Sequence, residues 1–174
     1  SFDRLYKVET LEAIAITSSK IQGELPDGIS SLTKLKNLNL GGTRITSLPS
    51  DITALSELLV LNIGRCSKLT SLPENIGDLS QLEQLDMNNS GVEVLPEGFG
   101  RLAGLKTLNI SYCGALKTLS QDFGNLRNVT SFNMTSCAAL VSLPESFGDL
   151  VQLTSLSLSR CESLVSLPES IGKL

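Results

Sequence analysis

Apolar residues return along this chain at a fixed phase. Val8, Leu32, Leu55, Leu79, Leu102, Leu126, Leu150 and Leu174 are 24, 23, 24, 23, 24, 24 and 24 residues apart. Each period repeats the same inner spacing. One reads Leu55, Leu58, Leu61, Ile63, Cys66, Leu69, Leu72, Pro73, Ile76; the last reads Leu150, Leu153, Leu156, Leu158, Cys161, Leu164, Leu167, Pro168, Ile171. A fixed period of roughly 20–50 residues marks stacked supersecondary units, none of which can bury its apolar face alone.

Within a unit, the apolar pairs Ile14–Ile16, Leu38–Leu40, Leu61–Ile63, Leu85–Met87, Leu108–Ile110, Phe132–Met134 and Leu156–Leu158 flank one polar or small residue. That alternation has the period of a half-buried strand. One strand per period in the same direction predicts a parallel sheet. The return leg carries LPxxI or LPxxF. Proline pre-sets a first helical turn, and Asp27, Glu74, Glu97, Glu145 and Glu169 follow it directly. Negative charge there predicts a short helical or 3₁₀ turn. Ile29, Ile52, Ile76, Phe99, Phe123, Phe147 and Ile171 then fill the core from the far side.

Composition sharpens this picture. Aromatics are 4% of a chain that is 41% hydrophobic, so the core is aliphatic, as a solenoid with one recurring filler requires. The net charge of −4 and the shortage of aromatics argue against nucleic acid, which needs a basic face or stacking platform. No apolar run reaches the ~18 residues of a membrane span. Histidine is absent, which removes His-dependent triads, His metal sites and the usual general base near neutrality. No cofactor, metal or catalytic constellation is expected.

Three residues after each pair stands a small residue: Ser19, Thr43, Cys66, Ser90, Cys113, Cys137 and Cys161. Ser and Thr replace Cys freely there, no Cys-x-x-Cys pair exists, and three of the cysteines are successive. The column therefore reads as a buried ladder turned toward backbone groups, not as disulfides or a metal site. Reduced cysteines favour a cytoplasmic setting.

The phrase LxxLxxLxLxx(C/T)xxLxxLPxxI resembles the leucine-rich repeat family over essentially the whole chain. The resemblance implies an α/β solenoid, a horseshoe with a concave parallel β-sheet and short helical or 3₁₀ turns on its convex side. It also implies a non-catalytic surface whose concave face binds a protein or peptide. Seven repeats are expected over residues 8–174, starting near 8, 32, 55, 79, 102, 126 and 150. Residues 1–7 would be the tail of a preceding repeat or a cap. Cys goes with 24-residue repeats, and Thr43 or Ser90 with 23-residue ones. That switching is similar to the repeats of plant intracellular nucleotide-binding immune receptors, and of type III effectors that bacteria deliver into plant cells. Two repeats depart: Lys20–Pro26 looks like the xxLxGxIP phrase of plant receptor-type repeats, and Ser120 replaces a proline.

The concave column runs Ala15, Asn39, Asn62, Asp86, Asn109, Asn133 and Ser157. Asparagine is disfavoured in strands. Two accounts stand side by side: a hydrated amide ladder, or donors and acceptors for a ligand. Two residues beyond each pair come Arg65, Tyr112 and Arg160, the residue types that dominate interface energies, with Asp86 and Glu83 as an acidic counterpart. The partner-binding candidates are therefore Asn39, Asn62, Arg65, Asp86, Asn109, Tyr112, Asn133, Ser157 and Arg160. Sequons at Asn88, Asn109, Asn128 and Asn133 read as chance matches in a Ser/Thr-rich chain.

Neither end shows a polar cap, so further linked domains are expected. The function expected is a recognition or regulatory module of a larger signalling or immune protein. The alternatives are the substrate-binding part of a ubiquitin-ligase-like bacterial effector, its catalytic domain outside this chain, or an extracellular receptor ectodomain.

Overall fold

A computed structural model describes residues 7–174 apart from Glu9, Ser18–Lys20, Pro26 and Asp27. All of the expected tail except Lys7, together with Ser19 of the small-residue column and Asp27 of the acidic row, lies outside the described residues.

The alternating apolar pairs form strands. Among the described residues these are β1 (Ala13–Ala15), β2 (Gln22–Glu24), β3 (Asn37–Asn39), β4 (Arg44–Ser47), β5 (Val60–Asn62), β6 (Gln84–Asp86), β7 (Thr107–Asn109), β8 (Ser131–Asn133) and β9 (Ser155–Ser157). Seven build one parallel sheet in the order β1-β3-β5-β6-β7-β8-β9. Equivalent residues pair without slippage, so Leu38, Leu61, Leu85, Leu108 and Phe132 stack in one buried row that the half-buried Leu156 continues. The departing phrase near Gly23 does something different: β2 pairs with β4 in a second, two-stranded parallel sheet.

Each return leg ends in a 3₁₀ turn, and no α-helix occurs among the described residues. In every turn the backbone N–H of the following leucine donates to the carbonyl of the inward Ile or Phe, as Leu126 does to Phe123. The acid-after-proline rule holds only in part. Glu145 and Glu169 do open turns after Pro144 and Pro168. Glu74 and Glu97 precede turns that begin at Ile76 and Phe99, so the helix-start argument does not account for them.

The core fills from both sides. Ile29, Ile52, Ile76, Phe99, Phe123 and Phe147 are buried, as are the leucine rows that face them. Phe99, Phe123 and Phe147 stack nearly parallel, with centroids 6.1 and 5.9 Å apart. Phe132 reaches across from β8 to within 5.2 Å of Phe123. Directly after these residues stand Gly77, Gly100, Gly124 and Gly148, each pressed against a backbone carbonyl of the next repeat.

Candidate protein-binding face

The concave asparagines owe their place to local backbone chemistry. Asn39 Oδ1 accepts the N–H of Gly41 at 2.9 Å, and Asn62 Oδ1 accepts that of Gly64 at 2.9 Å. Asn109 and Asn133 do the same for Ser111 and Thr135 at 3.1 and 3.0 Å. Asp86 Oδ1 accepts from Asn88 N at 3.0 Å and from its Nδ2 at 2.7 Å. A side-chain oxygen bonding the N–H two residues on mimics a turn, which is what Asn and Asp do best. It explains four asparagines in a column where strand propensity disfavours them. The bonds run back to each residue's own turn, not to the neighbouring amides. Each asparagine is half-buried. The amide nitrogens of Asn39, Asn62, Asn109 and Asn133 find no hydrogen-bond partner among the described residues. Ser157 closes the column by sharing a hydrogen bond with Thr135 Oγ1 at 2.7 Å.

Arg65, Tyr112 and Arg160 all point to solvent. Their backbones have φ of 60°, 60° and 59°. They occupy the third position of a turn closed by the N–H of the small-residue column, for example Cys66 to the carbonyl of Ile63 at 3.4 Å. A positive φ at that position favours Gly or Asn. Gly42 and Asn89 hold it at φ 75° and 52° in other repeats. Arginine and tyrosine there cost about 1 kcal/mol relative to glycine.

Glu83 stands apart from Asp86. It lies just before β6 and forms an ion pair with Lys106 at 2.7 Å. The column missed by sequence was the residue directly after each pair: Thr17, Gly41, Gly64, Asn88, Ser111, Thr135 and Ser159. Strand alternation alone places it beside the asparagines, so the signal was present. Gly41 and Gly64 bring no side chain to this column, and the Asn88 amide lies over Gly64. There a depression of about 450 Å³ opens, lined also by Asn39, Asn62, Arg65 and Asn88.

Two of the sequon asparagines, Asn109 and Asn133, are thus bound into turns. Asn128 is exposed, and its Nδ2 donates to Ala103 O at 2.7 Å.

The small-residue column faces the other way. Cys66, Cys113, Cys137 and Cys161 are free thiols. Cys113, Cys137 and Cys161 each donate to a carbonyl of the preceding repeat, those of Met87, Ile110 and Met134, at 3.1 Å. Thr43 Oγ1 bonds Leu40 O at 2.7 Å. Burial pushes the Cys137 thiol up to about 12 and raises that of Cys113; the neighbouring thiols add to the effect at Cys137. The folded state thus holds protons that the unfolded chain releases above its ordinary value of 9.0. This contribution is complete below that value and is lost as pH rises from 9 toward 12. Urea midpoints should fall over that window, less steeply in Cys137→Ser, and native thiols other than the half-buried Cys161 should react with a thiol reagent only on unfolding. An equal slope in the variant would refute the assignment.

Comparison with known proteins agrees with this geometry. A model of disease resistance protein RPS4B-like leucine-rich repeats matches residues 54–161, more than half of the chain. The chain belongs to the leucine-rich repeat family. Two further leucine-rich repeat models match residues 2–87 and 152–174. The leucine-rich repeat domain of the type III effector XopL superposes over 99% of this chain and 68% of its own, with a TM-score of 0.77 and 27% identity. The plant peptide hormone receptor RGFR1, solved in complex with RGF2, superposes over 98% of this chain and 39% of its own, with a TM-score of 0.61; at 20% identity it shows the fold. An Arabidopsis thaliana protein described as a "probably inactive leucine-rich repeat receptor-like protein kinase" is 41% identical over 56 residues, which is 32% of this chain and 7% of that protein. The leucine-rich repeat fold is generally a binding scaffold without catalytic groups of its own. Among the described residues, no helix is long and apolar enough to cross a membrane, and no group of three or more Cys, Asp or Glu could hold a metal ion.

Proposed function

We propose that this chain is a non-catalytic protein-interaction module. It works in the cytoplasm as the recognition or regulatory part of a larger signalling or immune protein. The observation that carries this reading is the concave face itself. Its scaffold is pinned by Asx turns, and it spends backbone strain to display Arg65, Tyr112 and Arg160 where glycine would fit without cost. Strain retained at an exposed position is a pointer to use. The match to RPS4B-like repeats supports an immune setting, and the free thiols support an intracellular one.

The same strain supplies a test that keeps folding and binding apart. Changing Arg65, Tyr112 and Arg160 to glycine together should raise stability by about 1 kcal/mol per position in urea titrations. A polypeptide partner isolated on the chain, then prepared pure and measured by calorimetry, should bind the triple variant about tenfold more weakly or worse. Unchanged affinity would remove these residues from the site.

A second reading follows from the likeness to the XopL domain at 27% identity. The chain would then select the substrate of an effector whose catalytic domain lies elsewhere. A catalytic domain following these repeats in the full-length protein would favour that reading, and a nucleotide-binding region preceding them would favour the receptor.

A further inference from the structure

The depression between β3, β5 and β6 has a defined chemistry. Its floor is Gly41 and Gly64. In the later repeats Asn88, Ser111, Thr135 and Ser159 hold the equivalent place, so the hollow is local. Because the oxygens of Asn39 and Asn62 are committed to the N–H groups of those glycines, their Nδ2 groups, which have no partner among the described residues, are the donors these two side chains have left. Asn88 is oriented the other way. Its nitrogen donates to Asp86 at 2.7 Å, which leaves its Oδ1 as an acceptor.

Charge completes the pattern. Lys34, Lys36, Arg101, Lys106, Lys117 and Lys173 each hold an acid of a neighbouring repeat. Arg65, on the rim of the hollow, has no ion-pair partner among the described residues. It stands at φ 60° where Gly42, one repeat earlier, is free of strain. Three residues with donor groups left, one of them cationic, line a space of about 450 Å³. Asp86 on the adjoining strand makes the far side unfavourable to a second anion.

Building on the concave face as a protein-binding surface, we infer that this hollow is a socket for one acidic side chain of the partner polypeptide. The carboxylate takes hydrogen bonds from Asn39, Asn62 and Arg65. The oxygen of Asn88 accepts a backbone N–H of the same ligand, which a free anion could not offer. Charge-assisted bonds are roughly twice as strong as neutral ones. The socket should therefore prefer a carboxylate to a carboxamide of the same size, and the preference should shrink as salt rises.

The test uses blocked pentapeptides, Gly-Ser-Glu-Ser-Gly and its Gln counterpart, titrated into the ¹⁵N-labelled chain, with inorganic phosphate as a third probe. The Glu peptide should shift the Gly41 and Gly64 amides and the Asn39 and Asn62 side-chain amides saturably. The Gln peptide should bind about fivefold more weakly. Arg65→Gly should bring the two peptides level. Gly64→Ala should abolish binding while melting close to the parent, because the three atoms nearest the added Cβ all belong to side chains: Asn88 Nδ2 at 2.5 Å, Asn62 Oδ1 at 3.2 Å and Asn88 Cγ at 3.3 Å. Equal affinities for Glu and Gln in the parent would overturn the inference, as would shifts absent from Gly41 and Gly64. Phosphate binding as tightly as the Glu peptide would reassign the socket to a free anion and also overturn it. If these probes fail while the triple glycine variant still loses its partner, the socket falls and the broader binding reading stands.

Discussion

Gly124→Ala is expected to destabilise the chain by about 3 kcal/mol, although alanine is normally the better residue in a helical turn. A Cβ at Gly124 would stand well under 3.0 Å from the backbone carbonyl oxygen of Ser146 in the next repeat. Gly77, Gly100 and Gly148 meet the carbonyls of Gly98, Asp122 and Ser170 in the same way. Backbone cannot move aside as a side-chain tip can, so the two repeats must separate along the convex side, and the phenylalanine stack beneath them must open. Gly172 is the control. It sits at the same repeat position, yet nothing lies within 4 Å of its added Cβ, so Gly172→Ala should be neutral or slightly stabilising. Urea titration of both variants checks this. Equal effects at Gly124 and Gly172 would show that inter-repeat contact is not the cause.

Phe123→Ala should cost more, about 3–5 kcal/mol. Phe123 is fully buried. It stacks on Phe99 at 6.1 Å and Phe147 at 5.9 Å, with interplanar angles of 4°, and touches Phe132 at 5.2 Å. In a solenoid, stability is a sum of repeat and interface contributions. Phe123 serves two interfaces at once, so its loss leaves a cavity that neither neighbour can close. Hydrogen exchange should show amides on both sides, from β7 through β9, losing protection together. Loss confined to one repeat would contradict the shared stack. Ile76→Ala, in the aliphatic half, should cost less because a smaller side chain is removed.

Much of the site could be read from order alone, and the limits have physical causes. The concave column was correctly placed by alternation, because side-chain period on a strand is two. Its chemistry was not. Sequence shows that Asn39 and Asn62 face outward, but only the turn geometry shows that their oxygens are committed, which leaves their nitrogens as the donors that remain. Arg65, Tyr112 and Arg160 were chosen for residue type. Their positive φ, the stronger reason to ask what they do, depends on a turn whose closing bond is invisible in sequence. The hollow was missed because glycines carry no signal of their own; it lies where two of them follow adjacent strands.

The sequence by itself determined the solenoid, the parallel strands and the inward rows. The reason is that one period repeats seven times, and each repeat can bury its leucines only against a copy of itself. It also determined that the thiols form a ladder, because Ser and Thr stand in for Cys at the same place. Tertiary structure decided everything that depends on distance between repeats. It set the 3₁₀ form of the return turns, the need for Gly77, Gly100, Gly124 and Gly148, and the stacking of Phe99, Phe123 and Phe147. It also placed the hollow beside Arg65. These properties belong to contacts between residues some 23 positions apart, and no local pattern encodes how closely two such residues approach.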